Sequence, residues 1–204
     1  MFWDTVSPLY DFFEIIYNKR VYIGTGARVA ALIDPDDEVL ECACGTGAIS
    51  VYIAQKCKKL IATDYAVGML KQASKKCRGY ANTSLKKADI TSIRCRDNRF
   101  DKVVAGNVIH LLPESEKTMH ELERVTKPGG KIIIPTYINM SNGTGRLAVK
   151  FLEMFGASFK RQFDLESYKR FFADMGYENV EYDVVDGRMP CAIAVITKPI
   201  RRNV

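Results

Sequence analysis

The segment from Glu38 to Gly47, EVLECACGTG, constrains this chain most. A short apolar strand, Glu38–Cys42, runs directly into a loop with two glycines, and helix-forming residues follow from about Ala48 to Gln55. Glycines there let the backbone turn sharply and approach a ligand, while the amides that open the helix point into the same space. The unit repeats at once: Lys59 to Thr63 is a second short strand closed by Asp64, and a helix is predicted from Ala66 to Cys77. Strands alternating with helices at this spacing form parallel pairs with helical crossovers, which places the chain among α/β proteins.

The alternation continues through the middle of the chain. A weaker strand over Ser84–Lys87 leads to Ala88-Asp89-Ile90, and a clear one over Phe100–Ala105 ends at Gly106-Asn107. Pro113 opens a helix to Thr126 whose first turn carries Glu114 and Glu116 and whose end carries Arg124 and Lys127, as the helix dipole favours. A turn at Lys127–Gly130 precedes a fifth strand, Lys131–Pro135. Five such strands imply a parallel, doubly wound sheet. Asp164 caps a helix ending near Gly176, and two final strands, Val180–Val185 and Cys191–Lys198, are joined by a short turn that makes them antiparallel.

Two further pieces stand outside this rhythm. Ser7-Pro8, a capping residue followed by proline, predicts a helix to about Asn18, and a second helix spans about Val21 to Ile33. After the fifth strand, Tyr137 to Phe163 reads as an insertion with a helical stretch. The expected organisation is a single domain over 1–204, with an N-terminal helical cap (1–34) and a lid-like insertion (137–163).

Composition removes several classes. No apolar run approaches the ~18 residues of a membrane-spanning helix, which excludes membrane insertion. Asp4, Asp11 and Glu14 precede the first basic residue, Lys19, the reverse of a targeting signal, so a cytoplasmic location is expected. The six cysteines show neither C-x-x-C nor His-paired spacing and read as reduced thiols, with no metal site expected. The net charge is +6, yet between Lys56 and Arg99 twelve basic residues stand against three acidic ones. Such a segment has the affinity for phosphate that an RNA partner would need. Its cations are spread over several elements, however, and aromatics are scarce, Tyr65 and Tyr80 within it and Phe100 just beyond, so a solvated face is favoured over a nucleic-acid surface.

Candidate chemistry gathers at the ends of the predicted strands, where open α/β sheets bind ligands. Ser50 stands where the third glycine of a dinucleotide fingerprint would be, which disfavours an NAD site. Asp64 either accepts hydrogen bonds from two ribose hydroxyls or caps the following helix. Asp89 either accepts from the exocyclic amine of a base or is a solvated carboxylate. Asn107 adds a polar amide at the same edge. His110, three residues further on, is either a general base, for which an imidazole titrating near neutrality is suited, or a packed histidine. Cys42 and Cys44 have no basic partner in the sequence and read as buried packing residues.

The motifs ECACGTG, the acid of ATDYAVGML, ADI, FDKVVAGNVIHLLP and VTKPGGKIIIPTYI stand in the order and spacing of the class I S-adenosylmethionine-dependent methyltransferases, and the chain resembles that family from about Val39 to Ile138. Within it, the small-molecule group that includes the ubiquinone and menaquinone C-methyltransferases is most similar, since FWDTVSPLYD also resembles their N-terminal segment. The resemblance implies a Rossmann-like, doubly wound sheet of seven strands, the last antiparallel, and S-adenosylmethionine as cofactor. Gly45, Thr46 and Gly47 would wrap its methionine part, with Glu41 and Ala43 near the amino group. Asp64 would hold the ribose, Tyr65 and Met69 would flank the adenine, Asp89 would bond the adenine amine with Ile90 against the ring, and Asn107 and Val108 would lie under the methionine and sulfonium. The chain departs from the family at Glu41-Cys42-Ala43, where Asp-x-Gly is usual.

Methyl transfer from a sulfonium is an in-line displacement in which the protein chiefly aligns the reactants, and a base is needed only where the acceptor must lose a proton. His110 is the candidate base. Tyr10 and Tyr17 from the cap, and Tyr137 with Leu147, Phe151, Met154 and Phe155 from the insertion, are candidates to face the acceptor and exclude water. The expected acceptor is a small, apolar or aromatic molecule. The alternatives are an RNA methyltransferase using the 56–99 segment and a catalytically silent, cofactor-binding adaptor.

Overall fold

The computed structural model describes residues 2–138 and 161–200, with the side chains of all of these except 2, 5, 6 and 8–15. Seven strands form one sheet in the order β3-β2-β1-β4-β5-β7-β6. They are β1 (Glu38–Cys42), β2 (Lys59–Asp64), β3 (Thr83–Lys87), β4 (Phe100–Ala105), β5 (Thr126–Tyr137), β6 (Val180–Val185) and β7 (Cys191–Thr197). Strands β1 to β5 pair in parallel, and β7 runs antiparallel to both of its neighbours, β5 and β6. This is the Rossmann-like fold expected from the sequence. The strand order reverses between β1 and β4, and a crevice opens outside their carboxyl ends.

Period-two alternation divides the core between the two faces of the sheet. Leu40, Val103, Ala105, Ile132, Ile134, Ala192 and Ala194 face one way, against α4 (Ser115–Val125) and α5 (Leu165–Asp174). Val39, Val104, Ile133, Ile193 and Val195 face the other, against α1 (Phe2–Ala30), α2 (Ser50–Ala54) and α3 (Val67–Cys77). On the first side, α5 brings a cluster of edge-on rings, among them Tyr168 against Phe172 at 5.1 Å, and the Tyr168 hydroxyl donates to the Ile134 carbonyl at 2.5 Å. Asp164 and Ser167 form the reciprocal capping box that starts α5.

Two sequence expectations need correction. The two expected N-terminal helices meet at a kink at Asn18 (φ −141°, ψ 34°) within one span, α1, but the first of them begins at Phe2 rather than at Ser7. Ser7 is not a cap. Its hydroxyl donates to the Asp4 carbonyl at 3.1 Å, the group that the missing N–H of Pro8 cannot reach, which lets the helix continue past the proline. The Lys127–Gly130 turn is instead the bulged entry to β5. Gly129 adopts φ +77°, its N–H donates to Lys198 O at 2.8 Å, and Gly130 O accepts from Lys198 N at 2.9 Å. Most of the 137–163 insertion, including Leu147, Phe151, Met154 and Phe155, lies outside the described residues.

The kink positions the cap. The Asn18 amide donates to Met189 O at 2.7 Å and accepts from Met189 N at 3.3 Å, fastening α1 to the hairpin between β6 and β7. Gly187 of that hairpin lies so close to Val21 that a Cβ there would sit 2.3 Å from its methyl group. Asn18→Ala, which leaves both buried backbone groups unpaired, should cost about 2 kcal/mol, read as a lower urea midpoint with an unchanged slope. A loss below about 0.5 kcal/mol would show that the kink does not depend on this contact.

Candidate active site

A cavity of about 420 Å³ opens at the carboxyl ends of β1, β2 and β4. The loop after β1 shapes its floor through three residues in left-handed conformations: Ala43 (φ +52°), Gly45 (φ +55°) and Gly47 (φ +82°). Cys44 N continues the β1–β2 ladder by donating to Thr63 O at 2.9 Å, and Gly47 N closes a turn on Cys44 O at 2.9 Å. A Cβ on Gly45 would meet nothing within 4 Å, so the backbone there is open to a ligand. Gly47 serves packing instead. A Cβ on it would lie 3.2 Å from the Ala73 Cα, and it is not in the cavity wall.

Asp64 braces this loop. Its Oδ2 accepts from Gly45 N at 2.8 Å and its Oδ1 from Ala66 N at 2.8 Å, just ahead of α3. Burial raises its carboxyl above the ordinary value, against the backbone bonds that favour its charge. The next open amide of α3, Gly68 N, donates to Asp4 Oδ1 of α1 at 2.6 Å. That bond holds the start of α1 across α3 and places Trp3 in the wall. On the far side, Asp89 Oδ1 accepts from both the N–H and the hydroxyl of Thr91 at 2.8 Å, which keeps its carboxyl below the ordinary value. The chain beyond it is clamped to α4, where Arg124 pairs with Glu121 and donates to Ile93 O at 2.7 Å and Cys95 O at 2.9 Å.

Glu41 is the most perturbed acid of the wall. It is 2% exposed, and Ser50 donates to its Oε2 at 2.5 Å. Burial pushes its carboxyl up to about 8, against the Ser50 bond. The Glu41–Ser50 pair is invisible to a glycine-fingerprint reading, in which Ser50 is only a missing glycine. Burial also pushes the Cys42 thiol up to about 12 and the Cys44 thiol well above its ordinary value, so both are unreactive packing groups.

Most of the sequence candidates converge here. Glu41, Ala43, Gly45, Thr46, Asp64, Tyr65, Met69, Asp89, Ile90, Asn107, Val108 and Tyr137 all line the cavity. Asn107, at φ +52°, joins two strand ends: its N–H donates to Pro135 O at 2.7 Å, and its Oδ1 accepts from Tyr137 N at 3.0 Å. Besides Gly47, Tyr17 and His110 stand apart. Tyr17 packs under the Arg188 guanidinium, 5.9 Å from its ring centre, and is not in the wall. The Tyr10 side chain lies outside the described residues. His110 is buried at 7% exposure in the 3-10 turn Ile109–Leu111, outside the wall, and burial pushes it down to about 4. Trp3, Tyr22, Thr25, Leu111 and Leu112 are also in the wall, and their sequence pattern does not single them out. The cations of 56–99 are divided: Lys59 starts β2 at the opposite edge of the sheet, whereas Lys87 lies 5.2 Å from the ring centre of Tyr65 and Lys76 donates to the hydroxyls of Tyr22 and Thr46, all three of them wall residues.

Residues 40–134 match the model of a methyltransferase domain family. The demethylmenaquinone methyltransferase of Renibacterium salmoninarum is 26% identical over 91% of this chain and 86% of its own length. That of Clavibacter sepedonicus is 30% identical over 65% of this chain and 55% of its own length, so the second match spans about half of that relative. A solved Thermotoga maritima structure, described as an S-adenosylmethionine-dependent methyltransferase and possible histamine N-methyltransferase, superposes with a TM-score of 0.73. It is 18% identical and covers 97% of this chain and 98% of its own. The chain is similar to the class I S-adenosylmethionine-dependent methyltransferases, and S-adenosylmethionine is its cofactor. Among the described residues, no helix is long and apolar enough to cross a membrane.

Two outcomes follow from this geometry. A left-handed alanine costs about 1–2 kcal/mol, so Ala43→Gly should raise the melting temperature by about 2–4 °C, and a lower melting temperature would contradict the strain. Glu41 holds its proton in the fold up to about pH 8 but loses it near 4.5 when unfolded, so the wild-type chain loses stability as pH rises between those values. Glu41→Gln cannot ionise. Urea titration should find it little changed near pH 5 and more stable than wild type by over about 1 kcal/mol near pH 8, whereas a difference independent of pH would refute the shift.

Proposed function

We propose that this chain transfers the cofactor's methyl group to a small, apolar or aromatic acceptor, of the quinol kind that the names of its relatives indicate. One observation carries this: the cavity that holds the glycine loop and Asp64 continues into a wall of Leu111, Leu112 and Tyr137. An apolar wall fits a ring better than it fits a nucleic-acid backbone, which would need cations there. In the same reading, residues 1–204 act as one domain capped by α1.

The cradle suits the cofactor in shape and polarity. Gly45 presents open backbone, Glu41 and Thr46 offer polar groups at one end, and Met69 and Ile90 offer apolar surface at the other. We assign the methionine part to Glu41, Ala43, Gly45 and Thr46, and the ribose hydroxyls to Asp64, whose oxygens each accept one backbone bond and retain a second lone pair. Tyr65, Met69 and Ile90 would flank the adenine, Asp89 would accept from its amine, and Asn107 and Val108 would lie beneath the sulfonium. When bound, the cofactor supplies an electrophilic methyl carbon that the acceptor takes by in-line displacement. The chain's own contribution is alignment and exclusion of water, with Tyr137 held in place through Asn107. We do not assign a base to His110, because a buried imidazole at about 4 accepts a proton poorly near neutrality.

Asp64→Ala should weaken S-adenosylhomocysteine binding by about 10- to 100-fold, the worth of one charged hydrogen bond, measured by calorimetry on a variant shown to be folded. Unchanged affinity would remove the ribose role. With labelled S-adenosylmethionine, label is expected on phenols or naphthoquinols offered as acceptors. Label confined to RNA would overturn the acceptor class.

A further inference from the structure

Charge on this chain is polarised across the sheet. From Tyr65 to Ala88, the segment that builds α3 and the edge strand β3, there are six cations and no acid. From Asp164 to Asp186, the segment that builds α5 and the other edge strand, β6, there are seven acids and two cations. The two strands stand at opposite ends of the strand order. A chain charged in this way meets an anionic surface with its β3 side foremost. Of the six cations, Lys76 is half-buried and held between Tyr22 and Thr46. Lys71, Lys75, Arg78, Lys86 and Lys87 are exposed. None of these five has a carboxylate partner among the described residues: Lys75 reaches Gln72 at 3.2 Å, and Lys87 reaches the ring of Tyr65.

The cations of α3 share a face with an apolar side chain. Val67, Lys71, Lys75 and Arg78 follow one another at helical spacing, which sets them in one stripe along the exposed side of the helix. Val67 is 45% exposed, and Tyr65, just ahead of it, is 52% exposed with the Lys87 ammonium 5.2 Å from its ring centre. Tyr65 also lines the cavity, so this end of the stripe reaches the cavity rim. Trp3 is tied to the same place, because its neighbour Asp4 accepts from Gly68 N. A basic stripe thus runs up to an apolar, aromatic rim. A nucleic-acid backbone would use the cations but gains nothing from an exposed valine. The boundary of a bilayer uses both, since tyrosine and aliphatic side chains enter it while Lys and Arg stay with the phosphates.

We propose that the exposed face of α3, with Tyr65, Val67 and Lys87 at its cavity end, docks the chain on an anionic phospholipid surface with the mouth of the cavity turned toward the lipid. The use of such a surface rests on the reading of the acceptor as apolar: a molecule of that kind partitions into lipid, and a mouth held at the bilayer receives it without passage through water. Attraction of the cations to the headgroups, with shallow entry of a valine and a tyrosine, makes the binding reversible and sensitive to salt. The acidic β6 side is repelled by the same headgroups, which fixes the orientation.

The test is co-sedimentation of the whole chain with vesicles of phosphatidylglycerol and phosphatidylcholine, beside vesicles of phosphatidylcholine alone. The wild-type chain should sediment with the anionic vesicles at low salt, leave them as salt is added, and stay free of the neutral ones. Each cation near an anionic surface contributes about fivefold, so the combined variant Lys71→Gln, Lys75→Gln, Arg78→Gln, shown to be folded, should bind more than about tenfold less tightly. Val67→Ser should lose about fourfold, the worth of one buried methylene. Trp3 is the chain's single tryptophan, so its emission reports on the rim, and brominated lipid in the vesicles should quench it. Failure to bind anionic vesicles at low salt, binding without quenching of Trp3, or binding unchanged in the triple variant would overturn the proposal. So would retention of RNA through the same stripe with no binding to vesicles. These readouts do not involve the acceptor: vesicle binding with no methyl transfer to a phenol or naphthoquinol would contradict the acceptor reading and uphold the surface, and transfer without vesicle binding would do the reverse.

Discussion

The carboxylate of Asp64 ties the site together. It ends β2, yet one of its oxygens holds Gly45 of the neighbouring loop and the other holds the first turn of α3. Parallel pairing of β1 with β2, in which Cys42 stands opposite Thr63, brings the acid and the loop to the same edge. Without that bond, three left-handed residues in five would have little to fix them. The same carboxylate is the group we assign to the ribose, so the residue that shapes the cradle is also the one placed to read what enters it.

Around this point the molecule uses a few long-range bonds to bring distant segments to one cavity. Asp4 reaches from the first turn of α1 to Gly68, Asn18 reaches from its kink to Met189, and Lys76 reaches back to Tyr22. On the other side, Arg124 anchors the chain that carries Asp89 and Ile90, and Asn107 joins the ends of β4 and β5. At the opposite edge of the sheet, Lys102 is paired with Asp37 at 3.0 Å and Asp34 at 3.1 Å, a structural cluster far from the chemistry. Rigid strands position the loops, and the loops carry the polar groups that a ligand would meet.

The sequence was most legible where the physics is local. The bounds of β1 and β4 follow from apolar runs closed by glycine or asparagine, the α5 cap follows from Asp164 with Ser167, and the cofactor loop follows from glycines between a strand and a helix. It was least legible where one segment depends on another far away. Nothing near Ser7 indicates that its hydroxyl substitutes for the N–H missing at Pro8, so the helix seemed to start there. Lys127–Gly130 has the composition of a turn, yet pairing with Lys198 draws it into β5. Tyr17 and Tyr22 are both tyrosines of the same helix, but the kink at Asn18 between them sends one to Arg188 and the other to the cavity. Ser50 looked like an absent glycine, and only the fold shows that it satisfies a buried glutamate.

Titration calorimetry of the chain with S-adenosylhomocysteine, with NAD as the parallel ligand, tests the assignment of the cavity most directly. Saturable binding of one S-adenosylhomocysteine per chain, with no heat from NAD under the same conditions, is the predicted result. A folded chain that binds NAD, or that binds neither ligand, would contradict it.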